Sequence, residues 1–304
     1  MQAAHHAASG QQHPGGTLYV VATPIGNLAD LTLRAIHVLQ LVDAVACEDT
    51  RVTARLLQHL GLNKRLLALH EHNEATATAV VLEALGRGER VAYVSDAGTP
   101  AVSDPGAGLV QRAHEAGYRV MPIPGASSVV AALSAAGDAG SPGHAFFGFL
   151  PTKAAARRQA LQEALAGPLS LVLFEAPHRI RALADELAAA AAGRSVTVCR
   201  ELTKQFESIA TLQAQDLPAW LAADANRERG EFVVVVHALA EVAQQAVPPQ
   251  AEALLQALLP HHPLKLAARL VADATGVASK ALYERGLAWR EQAAASEHSD
   301  DSAD

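Results

Sequence analysis

Five short apolar runs, separated from one another by stretches of helical periodicity, constrain most of what this chain can fold into. Leu18-Tyr-Val-Val-Ala22, Ala44-Val-Ala-Cys47, Leu66-Leu-Ala-Leu69, Val91-Ala-Tyr-Val94 and Arg119-Val-Met-Pro122 read as strands, with helical patterns over 31–41, 52–60, 75–85 and 108–116 between them. Such repeated alternation predicts a largely parallel sheet flanked by helices, here a first domain over residues 16–124. A second α/β domain is expected over 125–240. Its strands are Ala145–Phe149, Leu169–Phe174, Ser195–Arg200 and Phe232–Val236, the last apolar throughout and therefore buried. Residues 241–250, ending near Pro248-Pro249, read as a linker, and 251–290 as a small helical module. In that module two helices meet at Gly276, a helix-turn-helix-like pattern. The ends, 1–15 and 291–304, are expected to be disordered.

The densest signal lies directly after the fourth strand. Ser95-Asp-Ala-Gly-Thr-Pro-Ala-Val-Ser-Asp-Pro-Gly106 packs two carboxylates, two glycines and two prolines into a dozen residues. Glycine lets backbone approach a bound molecule, proline fixes the turns, and the carboxyl ends of parallel strands are where open sheets hold ligands. Two more glycine-containing loops, Ala22–Thr32 and Pro124–Ser128, follow other elements and could converge with it on one cleft. Neither G-x-G-x-x-G nor G-x-x-x-x-G-K-[ST] occurs in them, which argues against a standard dinucleotide or triphosphate loop.

The formal charge of −7, taken alone, disfavours a nucleic-acid partner. Five of those charges, however, come from Glu291, Glu297, Asp300, Asp301 and Asp304 in the terminal tail, leaving the rest close to neutral. Cys47 and Cys199 match no metal or redox spacing and read as buried hydrophobes. No run of 18 apolar residues occurs, and the first sixteen residues lack the apolar stretch of a secretory signal, so a cytoplasmic protein without a membrane segment is expected. His70, Glu71 and His72 resemble metal ligands superficially, but alternate residues point in different directions, and no metal is expected.

Longer motifs carry a family resemblance. Thr23-Pro-Ile-Gly-Asn-Leu28, Cys47-Glu-Asp-Thr-Arg51, His70-Glu-His-Asn-Glu74, Ser95 to Gly106, Pro124-Gly-Ala-Ser-Ser128, Phe174-Glu-Ala-Pro-His-Arg179, Arg200-Glu-Leu-Thr-Lys204 and Arg229-Gly-Glu-Phe232 occur in that order. Together they resemble the ribosomal RNA small-subunit methyltransferase I family over about residues 16–289. The resemblance implies a tetrapyrrole-methylase-like fold whose two α/β domains enclose S-adenosylmethionine in a cleft. It also implies 2′-O-methylation of a cytidine ribose in the decoding centre of 16S ribosomal RNA, a partner small ribosomal subunit, and a homodimer.

On that basis the cofactor-binding residues are expected to be Pro24, Ile25, Gly26, Asn27, Leu28, Asp96, Ala97, Gly98, Thr99, Pro100, Ser103, Asp104, Ser127 and Ser128. Asp96 and Asp104 would accept hydrogen bonds from the cofactor or cap turns. Glu175, His178, Arg179, Arg200, Glu201 and Lys204 place mixed charges beyond apolar strands and are the catalytic candidates, with a structural ion-pair network as the other reading. Glu48, Asp49 and Arg51 are candidates to face RNA or to stitch the domains together, and Lys280 and Arg285 in the helical module are candidates to meet RNA, although that module can equally pack on the second domain. Two other functions remain open: a tetrapyrrole C-methyltransferase and a catalytically silent ribosome-binding assembly factor.

Overall fold

A computed structural model describes residues 2–70, 73–239 and 247–300. In the first domain β1 (Thr17–Val21), β2 (Ala44–Cys47), β3 (Arg65–Ala68), β4 (Val91–Val94) and β5 (Arg119–Ile123) form one parallel sheet in the order β3-β2-β4-β1-β5. The five expected strands are therefore all present and all parallel. Chain direction across the sheet reverses after β3, and the crossover helices change face with it. Leucines and valines of α2 (Leu33–Leu41) and α3 (Thr50–His59) bury one face, while α4 (Glu74–Gly86) and α5 (Ala107–Glu115) bury the other. Right-handed crossovers require this switch, and it opens a crevice at the carboxyl ends of the strands.

The second sheet is mixed. Its order is β6 (His144–Phe149), β7 (Ser170–Glu175), β10 (Phe232–Val236), β8 (Ser195–Arg200), β9 (Ser208–Gln213), with only the β6/β7 pair parallel. All five residues of β10 are buried, as its composition predicts. Each such side chain contributes about 1.5–3 kcal/mol on leaving water. One face packs on α7 (Ala154–Leu165), α8 (Ile180–Ala190) and α9 (Leu217–Ala222). The other face is covered by α6 (Ser128–Ala136), which enters straight from β5, and Ile25 of the first domain joins that cluster. The cleft between the domains is thus floored by a helix whose amino end belongs to the first-domain loops.

Three features depart from expectation. Residues 2–8, placed in a disordered tail, form helix α1 (Gln2–Ala8), with Ala4 and Ala8 buried and its flank against α2. The edge strand β9 escaped the sequence reading because only half its residues face protein. The helical module has three helices, α10 (Pro249–Leu258), α11 (Leu264–Thr275) and α12 (Ser279–Asp300), around a core that includes Leu255, Ala268, Val271 and Leu282. The last helix runs to Asp300 where disorder was expected, because Gln292-Ala-Ala-Ala295 has high helix propensity. Gly276, at φ +74°, makes the expected turn, and Gly286 lets α12 approach Leu264. Of the expected linker 241–250, residues 241–246 lie outside the described residues, and Pro249 and Gln250 already belong to α10, which proline opens at its first position.

Candidate active site

Three loops of the first domain are stitched together before any ligand is considered. Thr23 and Gly98 exchange backbone hydrogen bonds of 2.9 and 3.1 Å, and the Thr23 hydroxyl donates to the Ser95 carbonyl. The Thr99 hydroxyl donates to the Ala126 carbonyl at 3.1 Å, tying the loop after β4 to the loop after β5. Gly125 lies so close to Ala22 that a Cβ there would sit 2.9 Å from the alanine methyl. The convergence expected of these loops is therefore present in the backbone.

The second domain closes the other side. A Cβ on Gly26 would meet Lys204 Cγ at 2.5 Å, and one on Gly148 would meet Ser103 Oγ at 2.9 Å, so glycines sit where the domains touch. Between them lies a cavity of about 320 Å³. Four non-glycine residues with left-handed backbone flank it: Ala101 and Ser103 on one side, Glu201 and Thr203 on the other. Each such conformation costs on the order of 1–3 kcal/mol and persists only where surroundings enforce it, as ligand loops do. At Glu201 the enforcement is visible. Its amide donates to the Glu231 carbonyl and its carboxylate accepts from the Glu231 amide and from Lys204 Nζ.

Of the expected cofactor residues, Ile25, Ala97, Gly98, Thr99, Ser103, Asp104, Ser127 and Ser128 line the cavity. Ser127 also caps the amino end of α6, whose unsatisfied backbone amides suit an anionic group. Pro24, Gly26, Asn27, Leu28, Asp96 and Pro100 are not in the wall. Gly26 packs on the second domain, Asn27 caps the short turn Leu28–Asp30, and Leu28 is exposed. Asp96 accepts a hydrogen bond from the Asp49 amide at 3.1 Å, a link between the ends of β4 and β2.

Among the catalytic candidates only Glu175 lines the cavity. Its side chain is buried, with Arg179 Nε 2.9 Å from Oε1, while Oε2 has no hydrogen-bond partner. Arg179 also donates to the Leu150 carbonyl at 2.7 Å, fixing the pair beneath the cleft. His178 is exposed. Arg200 spends its guanidinium on Ser208, on the Arg229 carbonyl and on the Phe206 carbonyl, holding the β8–β9 turn. Glu201 and Lys204 form a network with Glu231, 2.9 and 3.0 Å from the ammonium. Burial opposes ionisation of both, but the mutual hydrogen bonds prevail, holding the Glu201 carboxyl below its ordinary range and the Lys204 ammonium above its own. The ion-pair network is what the structure displays for these three residues.

Carboxylates crowd the ends of β2 and β4. Burial and the neighbouring charges of Asp96 and Asp104 push the Glu48 carboxyl up. Burial pushes Asp104 up as well, with Asp96 adding and Ser95 opposing. Asp49 behaves oppositely: as the cap of α3 it accepts from the Arg51 side chain and backbone, which lowers it to about 2. Arg51 is otherwise exposed. In the helical module Lys280 is exposed, whereas Arg285 is paired with Glu252 at 2.5 Å and lies over the Trp289 ring, so it braces α12 against α10. Among the described residues no group of three or more His, Cys, Asp or Glu could hold a metal ion, and Glu71 and His72 lie outside them.

The cavity also uses residues that the sequence reading did not single out as site residues. Val102, Phe149, Phe174, Leu202, Phe232 and Val233 give it an apolar wall, and Glu231 adds a carboxylate. Glu231 sits inside the motif Arg229–Phe232, so a signal existed. Cys199, expected as a buried hydrophobe, is buried and yet touches the cavity, and burial pushes its thiol up to about 11.

Residues 17–218 match the model of the Tetrapyrrole (Corrin/Porphyrin) Methylases, and residues 245–290 match the RsmI C-terminal HTH domain. The chain is 45% identical over 276 residues to Ribosomal RNA small subunit methyltransferase I of Neisseria meningitidis serogroup A, covering 91% of this chain and 94% of that one. It is 47% identical to the protein of the same name from Pseudomonas aeruginosa over 274 residues, 90% of this chain and 97% of that one. Among solved structures, uroporphyrin-III-C-methyltransferase from Thermus thermophilus superposes with a TM-score of 0.51 at 21% identity, covering 77% of this chain and 99% of that one. The last likeness speaks for the fold; the first two reach across both domains and the helical module. This chain belongs to the ribosomal RNA small subunit methyltransferase I family and has the tetrapyrrole methylase fold.

Proposed function

We propose that this protein transfers a methyl group from S-adenosylmethionine to the 2′-oxygen of a cytidine ribose in the decoding centre of 16S ribosomal RNA. The observation that carries the reading is the walled cavity at the domain seam, bounded by the stitched loops of the first domain and the strand ends of the second. Its chemistry fits the cofactor. Apolar side chains of Val233, Phe232 and Leu202 suit an adenine ring, the amino end of α6 suits a carboxylate, and Asp104 suits a cation or hydroxyl. When bound, S-adenosylmethionine supplies an electrophilic methyl carbon on a positively charged sulfur.

With the cofactor bound, the ribose oxygen would displace the neutral thioether from that carbon, so alignment is the protein's main task. Such positioning can supply roughly 7–11 kcal/mol of the barrier. Here it comes from backbone that is locked in advance: the Thr23–Gly98 exchange, the Thr99–Ala126 bond and the Glu201–Glu231 clasp. The hydroxyl proton needs an acceptor, and Asp104, Glu175 and Glu231 are the carboxylates the wall offers. Identity near 45% across the chain favours RNA over a porphyrinoid as substrate. The family resemblance extends the reading to a cytoplasmic homodimer acting on the small ribosomal subunit.

The test offers labelled S-adenosylmethionine together with either small ribosomal subunits lacking the modification or a porphyrinoid. Label in the RNA and none in the porphyrinoid is the expected result. The reverse would assign the chain to tetrapyrrole C-methylation, and cofactor binding with label in neither would leave an assembly factor.

A further inference from the structure

This chain is poor in aromatic residues, at 4% of its length, yet three of its six phenylalanines, Phe149, Phe174 and Phe232, line one cavity. Phe232 is buried and belongs to the floor, whereas Phe149, the last residue of the edge strand β6, is 58% exposed. A single exposed ring needs no explanation by itself. This one is aimed by a device. In β6, Ala145 pairs with Leu171 and Phe146 with Val172, but then the register slips and Gly148, not Phe147, pairs with Leu173. Phe147 is the extra residue of a β-bulge, and Gly148 sits at φ +63°, a conformation glycine adopts without strain.

Side chains alternate along a strand, so one inserted residue exchanges the faces of everything after it. Without the bulge Phe149 would share the face of Ala145, which packs on the α8 and α9 side, and Leu150 would face the cleft. With it, Phe149 returns to the face of Phe146 and Phe174, while Leu150 drops into the core. The ring is then held from behind. Phe174 meets it edge to face at 5.6 Å, and Phe146 meets Phe174 in the same way at 5.0 Å. The lack of a Cβ on Gly148 also admits Ser103 of the opposite domain, which keeps the bulge against the cavity.

We propose that Phe149 is the stacking platform for the base of the nucleotide whose ribose is methylated. The inference rests on the RNA-methylation reading and deepens it by placing the substrate base at the exposed rim. Three properties carry it: a rigidly backed flat ring, exposure on the solvent side of the cavity, and a backbone irregularity whose effect is to put the ring there. Single-stranded bases splayed from their stack are held in this way by aromatic side chains. The exposed Lys153, four residues further on, gives the neighbouring phosphate a cation.

The test compares wild type with Phe149→Ala, Phe149→Leu and Phe149→Trp, measuring kcat and KM for small subunits lacking the modification and, separately, the Kd for S-adenosylmethionine by calorimetry. Stacking predicts that Phe149→Ala and Phe149→Leu both lose about 10- to 100-fold in kcat/KM, that Phe149→Trp stays near wild type, and that cofactor Kd is unchanged in all three. Phe149→Leu matching wild type would reduce the ring to apolar packing and overturn the proposal. A cofactor Kd that weakens in step with kcat/KM would give the ring to adenine instead, and overturn it too. If wild type itself labels no RNA, the function reading fails and the platform falls with it; if wild type labels RNA and the variants do also, only the platform falls.

Discussion

Arg179 lies 2.9 Å from Glu175 at the floor of the cleft, and the carboxylate it faces is almost wholly out of water. Removing one partner of a buried pair leaves an uncompensated charge, which typically costs about 3–5 kcal/mol. Arg179→Met is therefore expected to lower unfolding stability by about that amount in urea denaturation. The double variant Glu175→Gln/Arg179→Met is expected to recover more than half of the loss, because it removes the stranded charge as well. Equal losses in the single and double variants would show that the arginine acts through its Leu150 contact instead.

Gly106 sits at φ +106°, and a Cβ there would lie 2.1 Å from the Tyr93 ring, whose hydroxyl donates to the Pro105 carbonyl. Gly106→Ala must strain the backbone and displace a buried ring together. The expected cost is about 2–4 kcal/mol, with loss of methyl transfer as the loop 95–106 moves. A stable and fully active Gly106→Ala protein would contradict the close approach.

Much of this architecture is legible in the amino-acid sequence. The apolar runs at 18–22, 44–47 and 91–94 carry their own burial, those at 66–69 and 119–122 form the partly exposed edge strands β3 and β5, and Phe232–Val236 reads as a fully buried strand. The glycine loops announced a ligand cleft because glycine and proline act locally. What stayed hidden depends on register and distant partners. Phe149 faces the cleft only because Phe147 bulges out, and no alternation of residue types encodes that slip. The charged run 200–204 looked like site lining, yet Arg200 closes a turn whose other strand, β9, is half solvent-facing and weakly patterned. Residues 2–8 are too short to declare a helix, and they acquire one by burying Ala4 and Ala8.

Asp104 and Glu48 carry raised carboxyl pKa values in the folded chain. The folded protein therefore holds protons more tightly than the unfolded chain, so this contribution is full below the ordinary carboxylate range and is lost as pH rises through the folded values. Asp104→Asn removes the charge. It is expected to raise the thermal midpoint by a few degrees at neutral pH, with the gain vanishing toward about pH 4. A gain that is constant across pH would point to packing rather than charge.

The amino-terminal helix rests near a histidine cluster. His13 and His37 rings lie 5.1 Å apart, His5 lies 5.5 Å from His37, and burial lowers the pKa of both His13 and His37. Arg34 and Arg90 reinforce the shift at His13, as His13 and His5 do at His37. The unfolded segment binds protons from its ordinary value of 6.5 downward. Docking of α1 is therefore fully stable above that value and weakens as pH falls below it. Protection factors at residues 2–8 should fall between about pH 7.5 and about pH 5.5 while those of β1 hold, and replacing both His13 and His37 by Leu should abolish the difference. Unchanged protection of α1 at the lower pH would refute the mechanism.

The most direct test of the central claim is nucleoside analysis of small-subunit RNA after methyl transfer by the purified protein. A single new product, 2′-O-methylcytidine, is expected, formed in step with the transferred label. Label confined to a base, to a protein of the subunit, or to no nucleoside at all would contradict it.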